Sequence, residues 1–508
     1  MSEFSFLAPR HNSGVSLESL SDSRVRLIGS AADVRVTNIA VNDRELQPKG
    51  LFAALPGHHD HGARHVDHAI AAGAVAVLTD EAGVALLPTS GLPILVAADP
   101  RAVLGAIASR IYGTDQKHPL MFGVTGTNGK TSTVHLLDAM LEQLGIRAGR
   151  SSTADRRSGQ TIVASRLTSP EAPEMHALLA RMNEDGVVAA ALEVSAQALS
   201  HHRVDGAEFD VAGFTNLSHD HMDEFGSMSV YLDAKLRLFT PAHSRRGVIL
   251  LDSAAGVEIR DRAQVPVVTV TSNPEAAADW HIDVVEITTA HTRFILTGPT
   301  GQTLTCSIPL IGTHMAADAG LAIVMLVESG IDFDRISDAL DGGVRVVIPG
   351  RMNRVSGADG PLVYTDFSHT PDSIDKALAA LRSVTPGLLV AIIGADGEKD
   401  HTKRAPMGRA AARGADVVIV NDHHQRFEDP AVIRNALLAG ARETNNTRVF
   451  DVPDPSEAIR AAIGMTQTGD TILWVGPGLS DHRIVRGVNV PYAPFRDARA
   501  ALTEAGWV

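Results

Sequence analysis

The chain has 508 residues, room for about three domains at roughly 100–200 residues each. Its 45 Lys and Arg against 59 Asp and Glu leave a formal charge of −14, which argues against a protein whose main task is coating nucleic acid. Hydrophobic content of 44% with 20% charged residues excludes a disordered chain, and the lone cysteine, Cys306, excludes an intramolecular disulfide and a thiolate zinc site.

Aromatics make up only 4%, so the core must be mostly aliphatic and alanine. A single cysteine fits a reducing, cytoplasmic setting. Met1 to His11 lacks a basic stretch followed by an apolar one, so no signal peptide is expected. No apolar run reaches the roughly eighteen residues of a membrane span; the best candidate, Met315 to Val327, is interrupted by Asp318.

Short β-rich apolar runs alternate with Ala-rich helical patterns, the mark of α/β domains with mostly parallel sheets. Two breaks, at His118-Pro119 and across Asp341 to Gly350, divide the chain into 1–117, 118–344 and 345–508.

In the middle segment, Leu120 to Val124 reads as a buried strand. Thr125 to Thr131, Thr-Gly-Thr-Asn-Gly-Lys-Thr, follows it, and a helical pattern with Val134, Leu137, Leu141 and Leu144 on one face comes next. Strand, Gly-rich turn, Lys-Thr and helix form a phosphate cradle. Gly126 and Gly129 permit the tight turn, Lys130 would reach the β- and γ-phosphates, and the Thr131 hydroxyl would ligate Mg²⁺. Val124 stands where the commonest form of this loop has its first glycine. A Gly-containing loop that merely starts a helix is the bland alternative.

Val187 to Leu192 reads as a second buried strand, ending in Glu193. Phe209 to Phe214 is a third, followed by Thr215 to Asp223, which contains His221. Ligands gather at the carboxyl ends of parallel strands, so Glu193 and His221 are expected at the nucleotide's metal. An exposed or structural His221 is the plain alternative. Lys235, in a helical stretch, reads from the residues alone as a solvated lysine.

These motifs resemble those of the Mur ligases. The resemblance rests on Thr125 to Ser132, on Leu192-Glu-Val-Ser195 with Arg203, on Thr215 to Asp223 with Ala234-Lys235, and on Gly350-Arg351 and Asp366-Phe-Ser-His-Thr-Pro-Asp372. It runs in order through nearly the whole chain. Asn42-Asp-Arg44, Gly50 to Gly57, Asp60-His-Gly62 and Gly394 to Gly408 are similar to the MurE branch of the family.

The resemblance implies three α/β domains: a smaller N-terminal uridine-nucleotide domain, a central P-loop ATPase-like parallel sheet and a C-terminal Rossmann-like amino-acid domain. It implies an ATP-dependent, Mg²⁺-requiring amide ligase of peptidoglycan synthesis that works as a monomer through an acyl phosphate. Lys130, Glu193, His221 and Lys235 would be catalytic, with Lys235 carried as N6-carboxylysine. Thr131, Glu193 and His221 would hold metal. Gly126, Thr127, Asn128, Gly129, Lys130, Thr131 and Ser132 would cradle ATP, with Asp318, Arg351, Asp366 and His369 closing on it. Thr168, Ser169, Ser195 and Arg203 would contact the sugar-peptide. Asn42, Asp43, His58 and His59 would lie near the uridine diphosphate, although a polar surface loop explains the histidines equally well.

The chain departs from the family at the adenine side, where Asp318 replaces an Asn, and most of all in the amino-acid pocket. Where enzymes for meso-diaminopimelate carry Asp-Asn-Pro-Arg, this chain has His423-His-Gln-Arg426. Their Gly-Lys-Gly-His-Glu becomes Gly476-Pro-Gly-Leu-Ser480, and their Gly-Asp-Arg-Asp becomes Gly397-Glu-Lys-Asp400. Loss of the Glu removes a partner for a second ammonium, and Lys399 cannot bind a carboxylate bidentately. Lys399, His424, Arg426 and Ser480 are therefore expected to line a pocket for L-lysine or a similar diamine. A repacked pocket for diaminopimelate, a ligase of a side pathway and a nucleotide-binding scaffold are the alternatives. The split of the ATP site between the middle and last segments predicts that the C-terminal domain swings in.

Overall fold

The computed structural model describes residues 7–57, 60–87, 91–357, 359–446, 448–478 and 480–507. Among them, three sheets of five, eleven and six strands follow one another along the chain.

The N-terminal sheet runs in the order Val25–Ile28, Ile94–Ala97, Ala74–Thr79, Gly50–Ala53, Asn38–Ala40, with only the first pair antiparallel. Its helix Pro100–Tyr112 begins where Asp99 accepts from the N–H groups of Arg101 and Ala102, and ends at Gly113 with φ 69°. Such a cap contributes about 1 kcal/mol.

The central sheet places Leu120–Thr125 between Ala189–Glu193 and Val211–Phe214, all parallel. These strands are buried on both faces, which is why they read as unbroken apolar runs. The first begins at Leu120 as its apolar run suggested, and the other two begin two residues later than theirs, at Ala189 and Val211. Antiparallel strands complete both edges.

The apolar stretch Met315 to Val327 lies in the helix Thr313–Glu328, buried on nearly every side and packed on the helix Lys130–Gln143. Among the described residues no helix is long and apolar enough to cross a membrane.

The C-terminal sheet runs Asn353–Arg354, Leu362–Asp366, Thr471–Val475, Leu389–Ile393, Val417–Val420, Val449–Asp451, parallel after its first pair. Its helix Pro371–Arg382 starts with a reciprocal Thr370–Ser373 capping box. A continuous apolar core joins this helix to the helix Thr313–Glu328 of the central domain. The two domains therefore sit closed on each other, with strand ends from both turned toward one cleft.

Candidate active site

The phosphate loop lies between the strand Leu120–Thr125 and the helix Lys130–Gln143. Gly129 caps the helix with φ 87°, and a methyl group there would come 2.5 Å from Asp318 Oδ1. A methyl group on Gly126 would collide with Thr215 Oγ1 at 1.9 Å. Glycine at both positions is thus a requirement of space as well as of φ. Lys130 Nζ donates to the carbonyls of Gly126 at 2.9 Å and Thr127 at 2.8 Å. Burial lowers its pKa, opposed by the charges of Glu193 and Asp220. Ser132 is buried in the first turn of the helix.

Glu193 is buried at its strand end, where it accepts from Thr153 N–H at 2.7 Å and Thr153 Oγ1 at 3.1 Å. His221 opens a short helix in the left-handed region, with φ 59°. Its Nδ1 lies 2.9 Å from the Gln197 amide nitrogen. Burial, with the nearby charges of Lys130, His369 and Lys403, lowers its pKa to about 4 against the pull of Asp220.

Lys235 corrects the reading from residues alone: it is 1% exposed, not solvated. Its helix, Met228–Leu236, packs inward, so Nζ donates to the Gly126 carbonyl at 2.8 Å and lies 4.2 Å from the Tyr231 ring centroid. Burial and the charge of Lys130 push its pKa well down.

The C-terminal domain completes the cleft. Arg351 donates to Thr131 Oγ1 at 3.0 Å and stacks 4.5 Å above the Phe367 ring. Asn128 of the loop donates to Thr370 Oγ1 at 3.2 Å and Asp372 Oδ2 at 3.0 Å. His369 Nε2 is 3.4 Å from Asp220 Oδ2. Asp366 is buried, and its carboxylate accepts from the N–H groups of Met352 and Ser368 at 2.8 and 2.7 Å, which shapes this loop from within. Asp318 is buried against the loop, and burial raises its pKa to about 8.

Lys130, Thr131, Ser132, Glu193, His221, Lys235, Asp318, Arg351, Asp366 and His369 line one cleft of about 710 Å³. Thr168, Ser169, Ser195 and Arg203 line it as well. Ser169 Oγ donates to the Glu193 carbonyl at 2.8 Å, and Ser195 Oγ caps the helix Ala196–Ser200. Arg203 pairs with Glu171 at 2.9 Å, and Glu171 also accepts from Arg101 of the N-terminal domain at 3.1 Å. Asn42 caps the turn Asp43–Glu45 and faces a second cavity of about 460 Å³ between the N-terminal and central domains. Asp43 lies 3.5 Å from His68 Nδ1. His58 and His59 fall outside the described residues.

Of the residues expected at the amino acid, His424 and Arg426 stand together beside Ile484, while Lys399 is exposed on the wall of the ATP cleft. His424 Nδ1 accepts from Ile484 N–H at 3.1 Å, and Arg426 Nη2 is 3.6 Å from Asp396 Oδ2. The Ser480 N–H donates to Pro477 O at 2.9 Å.

Family models match along the chain in the same order as the sheets: the Mur ligase family catalytic domain at 35–112, the Mur ligase middle domain at 124–326 and the Mur ligase glutamate ligase domain at 350–478. The chain is 53% identical over 483 residues, 94% of each protein, to the UDP-N-acetylmuramyl-tripeptide synthetase of Leifsonia xyli subsp. xyli. The chain belongs to the Mur ligase family. It is an ATP-dependent ligase of peptidoglycan synthesis. The UDP-N-acetylmuramoyl-L-alanyl-D-glutamate–2,6-diaminopimelate ligase of Streptomyces coelicolor is 40% identical over 481 residues, 92% of each chain. A solved structure of a ligase of that name superposes with a TM-score of 0.66 at 24% identity, covering 97% of this chain and 100% of its own.

Sequence reading gave no role to Thr153, nor to Lys403 and Asp220, which stood inside stretches it had singled out. Thr153 holds both oxygens of Glu193. Lys403 donates to Asp220 Oδ1 at 2.8 Å across the domain boundary, and His219 and Met222 N–H reach Thr402 and Asp400 beside it. Burial alone would raise the Asp220 carboxyl, yet His369, Lys403 and His221 hold it far below the carboxylate range. Asp220 stands within the His219 to His221 run, so its position was visible there, while its partner Lys403 lies 183 residues away.

Proposed function

We propose that this Mur ligase adds a diamino acid to UDP-N-acetylmuramoyl-L-alanyl-D-glutamate, with L-lysine or a similar diamine favoured over meso-diaminopimelate. One observation carries the reading. A single cleft is lined by Lys130 of the phosphate loop, by Glu193 and His221 at the neighbouring strand ends, and by Arg351 and His369 of the other domain. That is the equipment for bringing a phosphoryl group, a carboxylate and an amine together in three-domain form.

Phosphoryl transfer is mainly positioning and charge neutralisation. Lys130 and Arg351 would face the phosphate oxygens. The substrate carboxylate attacks the γ-phosphorus, ADP leaves and an acyl phosphate forms. The amine nitrogen then attacks the acyl carbon, and the tetrahedral intermediate expels phosphate.

Among the described residues no three His, Cys, Asp or Glu side chains form a metal cage. One carboxylate, one hydroxyl and one imidazole suit instead an ion that keeps phosphate and water ligands, as Mg²⁺ does. Glu193, Thr131 and His221 would hold it. Turning the Gln197 amide, so that its oxygen accepts from His221 Nδ1–H, leaves Nε2, 3.6 Å from Asp220 Oδ2, as the nitrogen for that role. When bound, the ion neutralises phosphate charge.

Burial favours the neutral Lys235 amine, the form that adds CO₂ with loss of a proton to give N6-carboxylysine. Its carboxylate would then face Lys130. Thr168, Ser169, Ser195 and Arg203 would receive the sugar-peptide, and Asn42 and Asp43 the uridine end. The segments 1–117, 118–344 and 345–508 would be the three functional units. The Streptomyces coelicolor relative's name and the retained Arg426 favour diaminopimelate as the second reading.

The test is phosphate release from ATP with UDP-N-acetylmuramoyl-L-alanyl-D-glutamate and a panel of amino acids. Release that depends on both acceptor and amine is expected. Silence with every amine removes the proposal.

A further inference from the structure

The cleft leaves the phosphate loop in two directions. The central sheet carries the strands Ala189–Glu193, Leu120–Thr125, Val211–Phe214, Gly247–Leu250 and Val267–Thr271 side by side and parallel. Thr168, Ser195 and Arg203 line the arm beyond the first of them, the arm assigned above to the sugar-peptide. Leu250, Asp252 and Ser272 line the arm beyond the last two, on the opposite side of the loop. A nucleotide whose phosphates meet Lys130 therefore puts its sugar and base in that second arm.

Asp318 lines the cleft where this arm begins, against Gly129 of the phosphate loop. It is 4% exposed and stands in the second turn of the helix Thr313–Glu328. Among the described residues its carboxyl group forms no hydrogen bond and no ion pair. The cations that act on it are engaged elsewhere. Lys376 Nζ pairs with Asp372 at 2.9 Å, and Arg351 donates to Thr131 and stacks on Phe367. The third charged group around it, Asp252, has the same sign and accepts from Thr271 Oγ1 at 2.8 Å and Ser272 N–H at 2.7 Å.

An ionised carboxylate buried without a partner is costly, and such a group holds its proton instead. Burial raises the Asp318 pKa to about 8, against the pull of Lys376 and Arg351 and with the push of Asp252. The acid form presents an O–H donor beside a carbonyl acceptor. Adenine offers the complement, an amino donor beside a ring nitrogen that accepts. The N7 edge of guanine has two acceptors, N7 and O6, so it leaves the carbonyl half of the acid unpaired. The ionised form of Asp318 has no donor for either base. Of the edges of adenine, the one with N7 lies nearer the nucleotide's own phosphates, and Asp318 lies against the phosphate loop.

We propose that Asp318 selects adenine as a neutral acid, its O–H donating to N7 and its carbonyl oxygen accepting from the 6-amino group. The proposal rests on the phosphate seat assigned above to Lys130. An asparagine in its place would make the same two bonds at every pH. The acid makes them only while it keeps its proton, so base recognition weakens as pH rises through the value at which Asp318 ionises.

The experiment measures Kd by calorimetry on the full chain, with Mg²⁺ and ADP, GDP or 7-deaza-ADP, from about pH 7 to about pH 9.5. At the lower pH, ADP should bind about tenfold or more tighter than GDP and than 7-deaza-ADP, because each of these leaves one half of the acid unpaired. Across the range, the Kd for ADP should rise about tenfold or more beyond its rise in Asp318→Asn, which keeps the same lysines and phosphates but has no proton to lose. Asp318→Leu should raise the Kd for ADP about tenfold or more at the lower pH, with a cooperative thermal melt showing that the fold persists. A pH response shared by the wild type and Asp318→Asn overturns the inference and leaves the phosphate seat standing. So does equal binding of ADP and 7-deaza-ADP, or an unmoved Kd in a folded Asp318→Leu. A folded wild type that binds none of the three nucleotides overturns both.

Discussion

At the phosphate end of the cleft, the chain satisfies its own charged groups. Lys130 and Lys235 donate to loop carbonyls, both oxygens of Glu193 accept from Thr153, and Arg351 donates to Thr131. At the strand ends of the C-terminal sheet, Asn421, His423 and Tyr492 keep buried polar atoms without a partner among the described residues. The difference is one of preorganisation. Groups that act on every substrate are held by bonds within the protein, which preorganises them at little cost during the reaction. Buried polar atoms left without a partner lower stability instead.

This contrast can be broken at either end. The largest effect is expected for Lys130→Ala, which should cut turnover by about 10²–10³-fold or more. Phosphate release should fall alike with every amine. A loss confined to one amine would place Lys130 in amine selection and erase the contrast.

Lys403→Met comes next. It removes the lysine partner of Asp220, whose side chain is only 5% exposed, and leaves His369 at 3.4 Å as its remaining partner from the other domain. Removing one partner of such a pair costs about 3–5 kcal/mol. Here the cost should fall on closure, giving a larger radius of gyration by X-ray scattering and a lower kcat. An unchanged radius with full activity would mean that the apolar contact alone closes the domains.

Asp318→Asn sharpens the phosphate end through pH. The folded carboxyl is raised to about 8 by burial, against about 4 in the unfolded chain. Between those values the folded state holds a proton that the unfolded state has lost, so stability falls as pH rises. The Asn variant lacks that slope and should gain on the wild type from pH 5 to pH 8 in urea midpoints. A constant difference would show that Asp318 is ionised throughout.

The smallest effect belongs to a pair far from both ends. Arg26 and Glu81 meet at 2.6 Å with side chains 57% and 72% exposed. Glu81→Gln should change stability by less than about 1 kcal/mol. A larger change by thermal melting would mean that surface pairs, and not the cleft, dominate the electrostatics.

The phosphate loop was legible because all of its chemistry is local. Gly126 to Thr131 lie within one turn between a strand and a helix, and their spacing alone implies a phosphate cradle. Glu193 was legible as the residue that ends an apolar run. Lys235 was not: its helix has the same composition whether it faces water or the loop, and burial came only from packing on Gly126 and Tyr231. The family resemblance supplied that role where periodicity did not.

What the sequence by itself determined, then, is the order of three α/β units, the phosphate loop and the residues at the strand ends. These depend on neighbours within a few positions. Tertiary structure decided the rest. It joined Lys403 to Asp220 across 183 residues, and Arg351 to Thr131 across 220. It also placed Asp396 between His423 and Arg426. Such contacts leave no periodic trace, because a folded chain matches charges by position in space, and spacing along the sequence does not record it.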